Sequence, residues 1–285
     1  GTNLISHSID EREKVLFIGP IKGFKQYDVN YDLYGRVNPN LSTNYNAKNI
    51  YDDSYYSNTL EYKNIVFKKE DRGFNKKIPT IHFNSSPDIT SSIVAPHNET
   101  YNFNPNEDFT ISFYFNPIKD NGYLVSKSTT KTFIRTPINA KTNTTGSSQP
   151  FNALEKNRYP FEIFLDSNQN LTFKKSDGIN TSIISSSINT GSLQHVACVS
   201  SGSRIEIWLN GNKAASGSDT TTNQTENQAN LYIGSKGEIS NYYTGSLSNL
   251  MIFNSPRTEE QIKSLSSSIN GSPYIGNIFY SQGIA

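Results

Sequence analysis

The run Phe109-Thr110-Ile111-Ser112-Phe113-Tyr114-Phe115 alternates apolar and polar positions. That is the pattern of a strand with one buried face, because successive strand side chains point to opposite sides of the sheet. It sets Phe109, Ile111, Phe113 and Phe115 against a core and turns Thr110, Ser112 and Tyr114 away. Phe161-Glu162-Ile163-Phe164-Leu165 repeats the pattern and ends in the turn residues Asp166-Ser167-Asn168. Ile205, Ile207 and Leu209 alternate with Arg204, Glu206 and Trp208, and then comes Asn210-Gly211. This pair tolerates the positive φ angles of a tight hairpin turn. His195-Val196-Ala197-Cys198-Val199 reads as a buried strand, and further strands are predicted at 231–234 and 247–253. Short strands at close intervals with turn residues between them predict an all-β sandwich. One short helix is expected after Pro256: Thr258 and Gln261 have capping-box spacing, and Ile262 and Leu265 supply an apolar edge.

The first 78 residues differ. Val15-Leu16-Phe17-Ile18 is a single apolar run closed by Gly19-Pro20, and the stretch from Tyr27 to Tyr62 is dense in Tyr and Asn with few aliphatic residues. Such a segment buries too little apolar surface to offset its ordering entropy alone. The chain therefore divides into an extended arm (1–78), a sandwich domain (79–265) and an extended tail (266–285). Residues 130–150 and 216–229, rich in Thr, Asn, Ser and Gly, read as long loops. The apolar strand-like end of the sequence is expected to belong to something longer.

Charge narrows the partners. A net charge of +1 is far from the basic surface that nucleic-acid binding needs, and with aromatic residues at 12% charge-driven disorder is excluded too. The basic cluster Lys68, Lys69, Arg72, Lys76 and Lys77 is interrupted by Glu70 and Asp71 and reads as a solvated linker. Cys198 is the only cysteine, so no intrachain disulfide frames the fold, and its apolar strand argues for an inert thiol. No apolar run has the length of a membrane-spanning helix.

Six segments, in order, carry a resemblance. Thr80-Ile81-His82-Phe83-Asn84 with Ser92-Ile93-Val94-Ala95-Pro96 comes first, followed by Phe109 to Pro117 and by Tyr123-Leu124-Val125-Ser126-Lys127. Leu193-Gln194-His195-Val196-Ala197, then Ile205 to Gly211, and finally Leu231 to Gly234 with Gly245 to Asn254 complete the set. Together they resemble the laminin-G-like, concanavalin A-like lectin/glucanase family across about two thirds of the chain. The resemblance implies a two-sheet antiparallel jelly roll. The Asn/Ser/Thr/Tyr-rich style of the whole chain is similar to that of tailed-bacteriophage virion proteins, such as tail, fibre or head-decoration components.

Catalytic and metal chemistry find little footing. Glycoside hydrolysis needs two cooperating carboxylates, and no acidic strand motif of that kind occurs. Glu162, Asp166, Glu259 and Glu260 are given no catalytic role. His7, His82, His97 and His195 are scattered without metal-ligand spacing. Where many members of the family place calcium-binding carboxylates, this chain has Asn84 and Ser248-Asn249, so no metal and no other cofactor is expected. Carbohydrate binding asks for aromatic rings flanked by polar groups, and Tyr123, Tyr159, Trp208, Tyr242 and Tyr243 are the ligand-binding candidates. Trp208, opposite Ile205, Ile207 and Leu209, should face outward or lie beneath an arm.

The reading is a non-catalytic virion structural protein whose lectin-like jelly roll serves attachment, decoration or recognition of a host-surface glycan. Its arms would join it to other virion proteins or to copies of itself, with no nucleic acid bound and no membrane insertion. The alternatives are a secreted or cell-surface carbohydrate-binding adhesin and, after it, a glycoside hydrolase.

Overall fold

Period-two alternation is realised as two facing antiparallel sheets in the computed structural model, which describes residues 11–18, 50, 52–71, 77–86, 89–119, 121–128, 158–237 and 241–267. The first sheet runs in the order β15 (Asn212–Ser218), β14 (Arg204–Leu209), β13 (Gln194–Ser201), β8 (Phe109–Pro117), β17 (Gly245–Phe253), β4 (Lys77–Phe83), β3 (Val66–Asp71). The β17 edge is shared: β4 pairs with residues 245–247, and β1 (Lys14–Ile18) pairs with residues 250–253. The second sheet runs β12 (Thr181–Ser187), β11 (Asn170–Asp177), β10 (Arg158–Leu165), β9 (Gly122–Ser126), β16 (Leu231–Ile233), β7 (Ser92–Ala95), β2 (Glu61–Lys63). A two-residue hairpin, β5 (Ser85–Ser86) with β6 (Ile89–Thr90), stands apart.

The core lies between the sheets where the alternation put it. Phe109, Ile111, Phe113, Phe115, Ile205 and Ile207 are buried, and they face Phe161, Ile163, Leu165, Leu171 and Phe173 of the second sheet. Phe103 stacks on Phe109 with centroids 4.6 Å apart. Leu209, expected in the core, is only half-buried at its margin.

The outer face of the first sheet is buried as well, which strand alternation alone does not announce. Thr110, Ser112 and Tyr114 are all shielded from water. The cover over part of this face is α1 (Glu259–Ser267), whose Ile262 packs with Ala197, Val199 and Trp208. Tyr114 fastens it, its hydroxyl lying 2.9 Å from the carbonyl of Leu265 and 2.7 Å from that of Ser266. The helix starts as its sequence predicts. The Thr258 N–H donates to Gln261 Oε1 at 2.9 Å, and the Gln261 N–H donates to Thr258 Oγ1 at 3.3 Å.

The boundary at residue 79 does not coincide with an edge of the sandwich. β1, β2 and β3 all come from the stretch expected to be an arm, and both sheets include them. A four-residue apolar run cannot make a core, but it can complete one when an open strand edge accepts it. Val15, Leu16 and Ile18 are buried along β17. Asp52 locks this arrangement: it accepts the Phe17 N–H at 2.8 Å and the Ser54 and Asn58 N–H groups at 2.9 and 2.8 Å. Residues 1–10, 19–49, 51 and 72–76 of the expected arm, the tail beyond residue 267 and the loop at 130–150 lie outside the described residues.

Candidate recognition site on the second sheet

Two irregularities in strand pairing build the outer face of the second sheet. The β10–β11 register shifts between Tyr159 and Glu162, a step that contains Pro160, which has no N–H to give to the ladder. Tyr159 and Glu162 are three residues apart, yet both approach Lys236, while Phe161 and Ile163 keep to the core. A second shift, between β9 and β10, sets Tyr123 opposite Phe164. Their rings stack with centroids 4.8 Å apart and planes inclined by 18°. Gly122 is required beside them: a Cβ there would lie 2.7 Å from Tyr243 Cα and 2.9 Å from the Tyr242 carbonyl oxygen.

Glu162 sits at the centre, its side chain wholly buried. Oε1 is 2.7 Å from Lys236 Nζ and accepts the Ser128 hydroxyl at 2.5 Å, and Ser128 is in turn 2.8 Å from Ser126 Oγ. Oε2 has no hydrogen-bond partner. Lys236 Nζ also donates to the Tyr123 hydroxyl at 3.3 Å and lies 5.9 Å from the Tyr159 ring centroid. Lys174, directly across from Glu162 on β11, has its Nζ 5.5 Å from the Tyr159 ring centroid.

Burial and the Glu162 charge act in opposite directions on the lysine and together on the phenols. Burial works against the Lys236 cation, but the charge and hydrogen bond of Glu162 outweigh it and raise the pKa. Burial, reinforced by the Glu162 charge, raises both the Tyr123 and Tyr159 phenols. The site therefore offers neutral phenols, a partly exposed aromatic pair and a compensated ion pair. Its one carboxylate, Glu162, is paired with Lys236.

Of the five aromatic residues named from the sequence, the structure brings three together. Tyr123 is half-buried on the face, Tyr159 lies beneath it with 5% exposure, and half-buried Tyr242 bridges to Tyr123 through the backbone. Tyr243 is a core residue, its hydroxyl donating to the Ser246 carbonyl at 3.2 Å. Trp208 is on the other sheet, buried under α1, and donates its indole N–H to Glu206 at 2.9 Å. Neither ring presents a face to a ligand. Glu162, Phe164 and Lys236 were not among the candidates. A lone charge inside an alternating aromatic strand was the available signal for Glu162, whereas nothing local marked Lys236.

Other polar contacts offer less. His195 Nε2 is 2.8 Å from Ser112 Oγ, and both side chains are sealed from solvent. His82 Nδ1 is 3.2 Å from Ser246 Oγ, but that serine donates its proton to Glu70 and not to the imidazole. Burial pushes the Cys198 thiol far up. Among the described residues no three His, Cys, Asp or Glu side chains gather as a metal site.

Residues 88–263 match the family profile described as the concanavalin A-like lectin/glucanases superfamily, of the laminin G type. No curated protein sequence matches the chain. Among solved structures the fold is similar to the binding domain of Paraclostridial Mosquitocidal Protein 1, at 18% identity and a TM-score of 0.57, over 90% of this chain and 52% of that one. It is also similar to the binding domain of Botulinum Neurotoxin DC in complex with SialylT, at 15% identity and a TM-score of 0.59, over 92% and 53%. The Botulinum neurotoxin DC binding domain in complex with rat synaptotagmin II gives 13% identity and a TM-score of 0.56, over 91% and 52%. The chain thus spans about half the length of these structures, and at such identities the likeness is one of fold.

Proposed function

The chain belongs to the concanavalin A-like lectin/glucanase superfamily, and on that footing we propose that it is a non-catalytic recognition module that binds carbohydrate on the outer face of its second sheet. The observation that carries the proposal is the half-buried Tyr123–Phe164 stack beside the buried Glu162–Lys236 pair. Aromatic faces take the apolar CH surface of a sugar, and a few fixed polar groups orient its hydroxyls. The toxin binding domains that share the fold support the reading, since one of them was solved with SialylT and again with rat synaptotagmin II. A glycan array tests it. Wild type should bind a defined subset, and Phe164→Ala should weaken binding by about tenfold, a loss of about 1.4 kcal/mol, while the variant stays folded by circular dichroism. Absence of any glycan ligand, or full binding by the variant, would refute it.

The setting we propose is a virion, where the module serves attachment or decoration and the arms meet other virion proteins or further copies of this chain. This part rests on the Asn-, Ser-, Thr- and Tyr-rich style of the sequence. The toxin likeness supports a second setting, a secreted or cell-surface adhesin. Antibody-labelled electron micrographs separate the two: label on particles supports the first, and label on cell surfaces alone overturns it. Release of reducing ends from a glycan panel, abolished by Glu162→Gln, would overturn the non-catalytic assignment.

A further inference from the structure

Among the described residues the two sheets end in five strands with unequal protection; β1 is capped by Asp52, which accepts the Phe17 N–H, and by the Asp53 N–H, which donates to the Phe17 carbonyl. A strand edge exposes unpaired N–H and C=O groups, and proteins blunt such edges with charge, shortness, bulges or proline. β2 is three residues long and carries Glu61 and Lys63. β3 carries Lys68, Lys69, Glu70 and Asp71. β15 carries Lys213, and its register against β14 is broken by a shift.

β12 has none of these devices. Its seven residues, Thr181-Ser182-Ile183-Ile184-Ser185-Ser186-Ser187, include no charge, no proline and no glycine. It pairs with β11 in unbroken register from Asn170↔Ser187 to Ser176↔Thr181, and among the described residues no strand pairs with its other edge, although β15 of the first sheet lies close by. The start of the strand is tied down by Ser182, whose hydroxyl lies 2.8 Å from Asp219 Oδ1 and accepts the Thr220 N–H at 2.7 Å. Beyond that point, among the described residues, no backbone–backbone hydrogen bond reaches residues 183–187 except through β11. Ile184 turns toward the core, whereas Ile183 is 57% exposed, and Ile179 in the preceding turn is 74% exposed.

We infer that β12 is a self-association edge, where a second copy of this chain adds its own β12 antiparallel and joins two seven-stranded sheets into one. A twofold axis brings the same surface patch to itself, so the patch must be self-complementary. A charge-free strand meets this condition, because like charges placed opposite one another across a ladder are destabilising, and β3 would meet itself with four charged residues. Main-chain hydrogen bonds supply the attraction, and each copy's Ile183 loses exposure against the incoming strand. A single edge contact of this size is small, so the association is weak and depends on concentration. The inference stands apart from carbohydrate binding, because the Tyr123–Phe164 pair lies on β9 and β10, inside the sheet and not at its edge.

Sedimentation velocity on the full chain, from low micromolar to submillimolar concentration, reads the outcome. Wild type should pass reversibly from monomer to dimer. Ile183→Lys should weaken the dimer by about tenfold or more, and Ile183→Ser, which sets no like charge across from Lys174, should weaken it too and leave the melting temperature unchanged, since the side chain is exposed. Ile118→Lys is the matched control, because Ile118 has the same 57% exposure at the end of β8, away from the edge. It should leave the dimer intact. Amide exchange in residues 183–187 should slow as concentration rises. A wild type that stays monomeric throughout overturns the inference. So does a dimer indifferent to Ile183→Lys, or one that Ile118→Lys weakens equally.

Discussion

Lys127 gives the sharpest test of the buried architecture. It follows β9, and its side chain is wholly shielded from solvent. The amine donates to His97 Nδ1 at 3.0 Å and to the carbonyl of Ala229, with Asn227 O and Oδ1 both at 3.4 Å. Burial pulls its pKa from 10.5 down to about 7, and the Glu99 charge offsets this only in part. The folded pKa lies below the unfolded one, so between the two values the unfolded chain holds more protons. Stability must then rise with pH across that window, while below about 7 the cost of the buried charge is constant. The upper limit for a clean reading is about 9, where the Cys198 thiol, pushed up by burial in the fold, begins to ionise in the unfolded chain. From pH 7 to pH 9 the gain works out at about 2 kcal/mol. Urea unfolding of wild type and Lys127→Met at both pH values measures it. Methionine fills similar space and does not titrate, so the stability difference should move by about 2 kcal/mol in favour of wild type. If the two proteins follow parallel pH dependences, the amine is charged or neutral in both states alike, and the reasoning fails.

Asp177 accepts backbone N–H groups from Ile179, Asn180, Thr222 and Asn223 at 2.8, 2.6, 2.9 and 3.0 Å. Burial favours its neutral form, but these bonds prevail and hold its pKa below 3.8. Its contribution is present above the unfolded value and is lost as pH falls, so acid unfolding of Asp177→Ala should lack that component, and the variant should be about 3 kcal/mol less stable at neutral pH. Thr258→Ala removes half of the capping box and should cost about 1 kcal/mol in urea unfolding. Phe113→Ala, in the centre of β8, should cost about 3–5 kcal/mol, and a near-neutral result would mean that the core face has been misassigned.

What the sequence made legible was what strand and helix periodicity encode. The core face of β8 and the capped start of α1 both follow from local patterns, and each involves residues within a few positions of one another. What escaped depends on distant chain. Thr110, Ser112 and Tyr114 read as a solvent face, and Tyr114 is sealed by the end of α1 more than a hundred residues later. Trp208 read as a possible ligand platform, and it is roofed by Ile262. β1 read as part of an arm because its own apolar content is small, yet the open half of the β17 edge provides the surface that four such residues need. The recognition face was half legible. Tyr123 and Tyr159 were visible as aromatic residues, but the register shift that brings Tyr159 and Glu162 to the same lysine is a property of strand pairing.

A register shift also brings Tyr159 and Glu162 to the same outer face of the second sheet. In an unbroken strand Tyr159 would share the inward face of Phe161 and Ile163 while Glu162 pointed outward. The extra step at Pro160 turns Tyr159 outward without disturbing Phe161 and Ile163, so the core stays apolar while the outer face gathers phenol, carboxylate and ammonium. On the first sheet α1 occupies the corresponding outer surface over β13 and β14, and it fills that surface with Ile262 against Trp208. The same fold thus commits one outer face to packing and leaves the other with partly exposed Tyr123, Phe164 and Lys174. Specificity would then be set by side chains at two bulges on an otherwise generic sandwich, which is why a shared fold at low identity leaves the identity of the ligand open to the residues themselves.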